Sequence, residues 1–338
     1  MTKTRVSVSD PGDFLSVVPV LLGFEPDSGD VVMTGLDERG RVAVSMRFPQ
    51  PQPDELSMAS LAPILSNIID AGVRSVMLTA YGPGQQVTPA VDKLLAVVGP
   101  VLEVRDAFRV EGGRYWSYAC QDVDCCPIEG RTFQAETQAT TTLRVEAGMS
   151  AETSRSKVAG RFAAPTGERA DAARAAWTQA QAKPLSLPEG RAAVDQAVAD
   201  CREGKPFDAS KAAQLAQAMT ALPVRDHAWS LMTPEHAEAH TGLWSEVLRR
   251  VPPEASAAPA SLLAFSAWQT GNGALGHLAL DRAFEADPDY SMARLLDGAL
   301  SAGLPPSAAV LPMTPADVEQ SYREQGYDYD TPELDLEA

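Results

Sequence analysis

At 338 residues with 45% hydrophobic side chains, the chain suits two domains, each large enough to bury a core without disulfide or metal cross-links. Asp and Glu number 45 against 28 Lys and Arg, and the formal net charge of −17 repels nucleic-acid phosphates and anionic lipids. We therefore expect no nucleic-acid partner. We also expect no membrane association, because no stretch approaches the roughly 18 consecutive apolar residues of a membrane helix. Four cysteines in so long a chain favour reduced thiols and a cytoplasmic protein over a secreted disulfide framework.

The N-terminal stretch predicts a helix followed by a β-hairpin. Asp10 suits the N-cap, Pro11 fits the first helical position, and Gly23 can adopt the left-handed conformation that ends a helix. Two β-branched runs flank a polar turn at Gly40, which predicts an antiparallel hairpin over about 30–47.

The next segments alternate between helix and strand patterns. An amphipathic helix over 54–73 precedes an apolar strand that ends in the glycine-rich stretch YGPG, and Thr88 with Pro89 predicts the start of another helix. A second hairpin follows, with its turn at Gly112 and Gly113, and then a strand, TTTLRV. We predict a mixed α/β domain over 1–147, with helices flanking the sheet.

From about residue 151 the composition becomes rich in Ala, Glu, Gln and Arg, which predicts an all-α domain over 151–312. Near its end, Gly271 and Gly273 separate two helices, and Asp287 with Pro288 predicts the start of a third. The first two helices match the small and apolar positions of one tetratricopeptide unit, although a plain helical bundle explains the same pattern and is favoured.

The C-terminal segment over 313–338 is dense in Asp and Glu, with Arg323 as its one basic residue. Such a composition predicts a disordered acidic tail. Its spaced tyrosines and leucines leave open a second interpretation, in which the tail folds on a basic, apolar groove of a protein partner.

With these segments identified, the chain resembles the actinobacterial domain-of-unknown-function family DUF4192. The resemblance is carried by DPGDFLSVVPVLLGFEPDSGDVV near the start, WSYACQDVDCCPIEG in the middle, VRDHAW at 224–229 and LLAFSAWQTGNGALGHLALDRAFEADPDYSMARLL near the end. The cysteine-rich stretch is the most specific of the four. The resemblance implies a shared fold and a cytoplasmic actinobacterial or actinophage setting, and it implies no established activity.

Three cysteines, Cys120, Cys125 and Cys126, form the metal or thiol candidates. A zinc site is one interpretation, but the spacing lacks the usual two pairs of ligands, and adjacent cysteines point apart in extended backbone. A nucleophilic thiol is another, opposed by neighbouring carboxylates that raise a thiol pKa. A redox pair is the third. Simple packing beside aromatic side chains is the interpretation we favour.

A small-ligand cleft is the alternative that we place near YGPG, because open α/β sheets bind anionic groups where a strand leads into a helix. The ligand-binding candidates lie in that loop, on the preceding strand end and in two other strands: Tyr81, Gly82, Gly84, Arg47, Arg114 and Trp116. Pro83 removes one N–H donor and no phosphate-binding motif is complete, so a plain strand-to-helix turn is favoured.

No set of side chains forms a catalytic motif in the sequence, so we predict no catalytic residues and no particular cofactor. A non-enzymatic adaptor that binds a protein partner is the primary expectation. An enzyme or ligand sensor using the cleft, and a structural zinc site at the cysteines, are the alternatives.

Overall fold

In a computed structural model, the chain is described over residues 8, 10–146, 151–152, 154–205 and 207–329. Contacts between Cα atoms divide it into two compact units. The first draws on 1–158 and Ser301–Pro305, and the second on Ala159–Leu300 and the residues after Pro305. The predicted boundary after residue 147 falls on 147–150, outside the described residues.

The first unit has a mixed sheet flanked by helices, as predicted. Its described elements run in this order: α1 (Pro11–Leu22), β1 (Val31–Leu36), β2 (Val42–Phe48), α2 (Met58–Asp70), β3 (Ser75–Tyr81), α3 (Gly84–Val98), β4 (Glu103–Glu111), β5 (Arg114–Ser117), β6 (Arg131–Thr132) and α4 (Gln138–Glu146). Helix α5 (Arg155–Gly160) spans the boundary between the two units.

Among the described residues, six strands form one sheet in the order β2-β1-β3-β4-β5-β6. Strands β3 and β4 pair in parallel, with α3 as the crossover between them, and the other neighbours are antiparallel. The carboxyl ends of β3 and β4 therefore share one edge of the sheet with the start of β5. The predicted hairpins over 30–47 and around Gly112 and Gly113 are confirmed.

Each face of the sheet has its own cover. One face packs against α2 and α3 through a core that includes Val31, Met33, Leu78, Leu65 and Val91. On the opposite face a chain of tilted and edge-on aromatic contacts joins Phe14 of α1 to Phe108, Tyr115 and Phe133. Alternation along the strands thus separates the residues of this sheet into two distinct environments.

Local hydrogen bonds explain which helix ends follow the sequence rules. Asp10 accepts a bond from the Asp13 N–H and Gly23 has φ +82°, as the pattern predicts. The start of α3 differs, because the Pro83 carbonyl accepts bonds from the Gln86 and Val87 N–H groups and begins the helix upstream of Thr88.

The predicted strand TTTLRV is wrong, since these residues lie in α4. Thr137 and Thr140 exchange side-chain to backbone hydrogen bonds at the start of this helix. The hydroxyl groups of Thr141 and Thr142 donate hydrogen bonds to the backbone carbonyls four residues earlier. These local bonds satisfy the threonine hydroxyls inside a helix, which outweighs the β-propensity of the side chains.

The second unit is helical, as predicted. Besides short 3-10 turns at Pro253–Ala255 and Pro306–Ala308, its described helices are α6 (Glu168–Ala182), α7 (Leu187–Arg202), α8 (Ala209–Ala218), α9 (Leu222–Ser230), α10 (Ala237–Leu248), α11 (Ala257–Gln269), α12 (Gly273–Ala286), α13 (Ser291–Ser301) and α14 (Pro315–Glu324). Nearly every residue of α11 is buried, between α10 and α12. None of the described helices of the chain is both long and apolar enough to cross a membrane.

Two C-terminal expectations need correction. Helix α13 begins at Ser291 rather than at Pro288, because Asp287 caps the end of α12 and its carboxylate accepts the Asp289 N–H in a turn. The segment expected to be disordered contains α14, which is fixed to the second unit by two bonds. The Tyr322 hydroxyl donates to Asp226 at 2.5 Å and Arg191 pairs with Glu319 at 2.5 Å. Residues 330–338 lie outside the described residues.

Candidate functional site

The cysteine-rich loop over 118–130 connects β5 to β6 and is fastened at its base. The Trp116 indole N–H donates to the Ile128 carbonyl at 2.8 Å. The Arg114 guanidinium donates to the Gly130 carbonyl at 2.9 Å, and β5 pairs with β6 through Arg114 and Thr132. Both ends of the loop are therefore held at the same strand.

A turn centred on Ser117 directs the chain out of β5. The Ser117 hydroxyl donates to Asp106 Oδ1 at 2.8 Å, which ties it to the neighbouring strand β4. The same hydroxyl oxygen accepts the N–H groups of Ala119 and Cys120. These bonds place Cys120 immediately beside the end of the strand.

A second turn, built on Asp122, brings the other two cysteines back toward Cys120. The Asp122 carboxylate accepts the N–H groups of Asp124 and Cys125, and its backbone carbonyl accepts the Cys126 N–H at 2.6 Å. The backbone here is a turn and not an extended strand. The argument that adjacent cysteines must point apart in extended backbone therefore does not apply to this loop.

The three sulfur atoms form a compact cluster. The Sγ atoms of Cys120, Cys125 and Cys126 all lie within 4.8 Å of one another. Tetrahedral zinc with Zn–S bonds of about 2.3 Å separates its sulfur ligands by about 3.8 Å. Small rotations of the side chains would bring the three thiols onto one face of such a tetrahedron. The donor set and its spacing thus fit a thiophilic metal ion.

The thiols also influence one another. The Asp122 backbone N–H donates to the Cys120 sulfur and, together with a bond from Cys126, lowers the pKa of Cys120. Burial and the two neighbouring thiols raise the pKa of Cys126 to about 12. The sequence predicted that nearby carboxylates raise the thiol pKa, and for Cys120 this direction is wrong. The hydrogen bond from the Asp122 N–H lowers the pKa of Cys120 by more than the Asp122 carboxylate raises it.

Within the described residues, this group contains three donors and no fourth His, Asp or Glu. Cys125 is exposed, and Cys120 and Cys126 are half-buried. The remaining cysteine, Cys201, is on α7 in the second unit, where its thiol donates to the Ala239 carbonyl.

The ligand-binding candidates are divided between the two faces of the sheet. Arg47 and Tyr81 lie on the face covered by α1, where Arg47 Nε donates to the fully buried Asp30 at 2.6 Å. Burial, followed by the charges of Glu25 and Asp30, raises the pKa of Tyr81. Register places Trp116 on the opposite face, so Arg47 and Trp116 do not line one cleft.

Arg109, which was not among the candidates predicted from the sequence, lies between the glycine-rich loop and Trp116. Arg109 stacks on the Trp116 ring with its Cζ 3.6 Å from the ring centroid, and its Nη1 pairs with Glu111. A Cβ added to Gly84 would meet this same arginine at 3.7 Å. Gly82 has φ +126° and donates its N–H to the Val110 carbonyl. Ligand binding at this edge of the sheet stays a prediction.

Sequence reasoning missed the residues that shape the cysteine loop: Asp106, Arg109, Ser117, Asp122 and Gly130. The sequence did indicate a turn at Asp122, because an Asp side chain commonly accepts a hydrogen bond from the backbone N–H two residues further on. The role of Ser117 depends on a strand pairing, and a single segment of sequence does not reveal it.

Comparison with known proteins gives the family and nothing beyond it. No curated protein and no solved structure matches the chain. The profile of the family described as "Domain of unknown function (DUF4192)" matches residues 11–307, which include the sheet, the cysteine loop and most of the helical unit. The chain belongs to the DUF4192 family.

Proposed function

We propose that this protein binds one zinc ion through Cys120, Cys125 and Cys126, and that the metal fixes the cysteine loop. The observation that carries the proposal is the convergence of three sulfur atoms within 4.8 Å on a loop whose turns direct them to one point. Thiolates are the ligands that zinc prefers among protein side chains.

The surroundings of the cluster support a stabilising role for the ion. The loop has little apolar burial of its own, since Val123 is 63% exposed and Ile128 is 87% exposed. The Asp122 N–H directed at Cys120 would stabilise a thiolate ligand. A bound metal would supply the cross-link that a small apolar core cannot provide.

Metal analysis of the purified full-length protein tests the proposal. Under reducing conditions we expect one zinc per chain, and cobalt substitution should produce the thiolate-to-cobalt charge-transfer absorption of a cysteine-ligated ion. Serine substitutions at Cys120, Cys125 or Cys126 should each weaken zinc binding.

Cys201→Ser is the matched control, because this thiol is outside the cluster and should leave zinc content unchanged. If the triple serine variant retains as much zinc as the wild type, the proposal is wrong.

We propose as a second candidate that the protein acts as an adaptor whose cysteine loop contacts a protein partner. The exposed apolar side chains of Val123 and Ile128 at the loop support it, since a protein partner that covers them would remove their apolar surface from water. Val123→Ser with Ile128→Ser should abolish affinity capture of that partner from the native host. Undiminished capture by the double variant would contradict a loop-mediated interaction.

A truncation that tests the acidic tail as the docking segment has to leave α14 in place. Removal of everything after residue 313 would also remove Glu319 and Tyr322, which hold α14 to the second unit. A chain ending at Tyr329 keeps those bonds and removes only the final residues. Loss of the partner from this shorter chain would support tail-mediated binding, and unchanged capture would contradict it.

A further inference from the structure

We infer that the cysteine site has an open fourth coordination position, which takes a neutral nitrogen ligand of the imidazole class from outside the loop. The inference rests on the proposed zinc site. It adds the chemistry of the ligand that the site accepts.

The number of donors indicates an open site. Closed structural zinc sites use four protein ligands, whereas sites that bind exchangeable ligands use three. In the part of the chain that the structure describes, three donors form the cluster. The Asp122 carboxylate is not part of this cluster, and its Oδ1 instead accepts the N–H groups of Asp124 and Cys125.

Exposure indicates where the open position lies. Cys125 is the exposed member of the cluster, so the site is accessible from its side. Val123 and Ile128, in the same loop, are largely exposed as well. An incoming ligand can therefore reach the metal without unfolding the base of the loop, where Trp116 and Arg114 hold it.

Charge selects the class of ligand. Zinc with three thiolates has a net charge of −1, and the loop adds the carboxylates of Asp122, Asp124 and Glu129. The guanidinium groups of Arg114 and Arg131 donate to backbone carbonyls of this loop and offset only part of that charge. A fourth thiolate would add another negative charge, so a neutral imidazole is favoured electrostatically.

The test uses full-length protein loaded with cobalt, whose visible d–d absorption reports coordination. Imidazole should change this absorption saturably, and 2-mercaptoethanol should bind more weakly, on the order of tenfold or more. A peptide with one histidine between leucines distinguishes the source of the ligand. Tighter binding of the peptide than of free imidazole identifies a protein side chain, and equal binding identifies a small molecule; either result supports an open site.

Two results would overturn the inference without refuting the proposed zinc binding. A cobalt-thiolate band that imidazole leaves unchanged would show a closed site and would leave the proposed zinc binding intact. Tighter binding of the thiol than of imidazole would reject the ligand class. Absence of any cobalt-thiolate band would instead refute the proposed function itself, and with it this inference. Cys201→Ser should titrate like the wild type.

Discussion

Gly130 lies directly against the indole of Trp116, where an added Cβ would come within 2.5 Å of ring atom Cε2. Its φ of +75° is also in the left-handed region. The base of the cysteine loop thus requires glycine for two independent reasons, one conformational and one steric.

Gly130→Ala should destabilise the first unit and loosen the loop. Gly112→Ala is the matched control, because Gly112 also has a positive φ, +58°, but nothing lies within 4 Å of its added Cβ. The control should cost about 1–2 kcal/mol from backbone strain alone. Urea unfolding of both variants should show a clearly larger loss for Gly130→Ala, and equal losses would show that the ring contact is unimportant.

Asp30→Asn should strongly destabilise the first unit, because it leaves Arg47 without its buried carboxylate partner. Asp30 is fully buried and accepts both the Arg47 Nε bond and the Asp27 N–H. Breaking a buried ion pair costs about 3–5 kcal/mol. The free energy of unfolding measures the loss.

The exposed pair Arg144 and Glu136 provides the comparison for Asp30. Glu136→Gln should cost less than about 1 kcal/mol, since solvent screens an exposed ion pair. A loss as small as this for Asp30→Asn would mean that the buried pair contributes no more than a surface pair.

Tyr322→Phe should release α14 locally while the rest of the second unit stays folded. The variant removes the bond to the Asp226 carboxylate but keeps the aromatic ring. A hydrogen bond to a charged group contributes about 1.5–3 kcal/mol. Hydrogen exchange of the amides in α14 should therefore accelerate. The more exposed Tyr327 serves as the control, and Tyr327→Phe should leave this exchange unchanged.

Stability of the second unit should fall as the solution is acidified. Burial lowers the pKa of His240 to about 4, below its value of about 6.5 in an unfolded chain. Between these two pH values the unfolded chain binds a proton that the folded protein does not, so stability decreases as pH falls from about 6.5 toward 4. The loss from this residue approaches about 3 kcal/mol.

His240→Leu should flatten that pH dependence in denaturant unfolding measured at several pH values. A smaller slope should remain, because burial also lowers the pKa of His227. His277→Gln is the control, since its side chain is 42% exposed. An unchanged slope in His240→Leu would show that His240 is not the titrating group.

Elements determined by neighbouring residues could be predicted from the sequence. Asp10 and Gly23 define the ends of α1, and the glycines at 40 and 112–113 mark the two hairpins. Helix α4 could not be predicted in this way, because hydroxyl groups that bond within the helix offset the β-propensity of threonine.

The candidate site illustrates the same limit. The sequence identifies the three cysteines, but their convergence depends on the turn at Asp122 and on the bond between Ser117 and Asp106 of another strand. The division of Arg47 and Trp116 between two faces likewise follows from strand register, which composition does not reveal.

The first unit includes Ser301–Pro305, which the ribosome makes only after Ala159–Leu300 of the second unit. Asn67 of α2 donates to the Ala302 carbonyl at 2.7 Å, and Gly303 packs beside Ile64 and Ile68. Synthesis must continue through the helices of the second unit before these contacts become available. We expect the nascent N-terminal half to keep part of α2 uncovered during translation, and to reach its full stability only after Ser301–Pro305 has been synthesised.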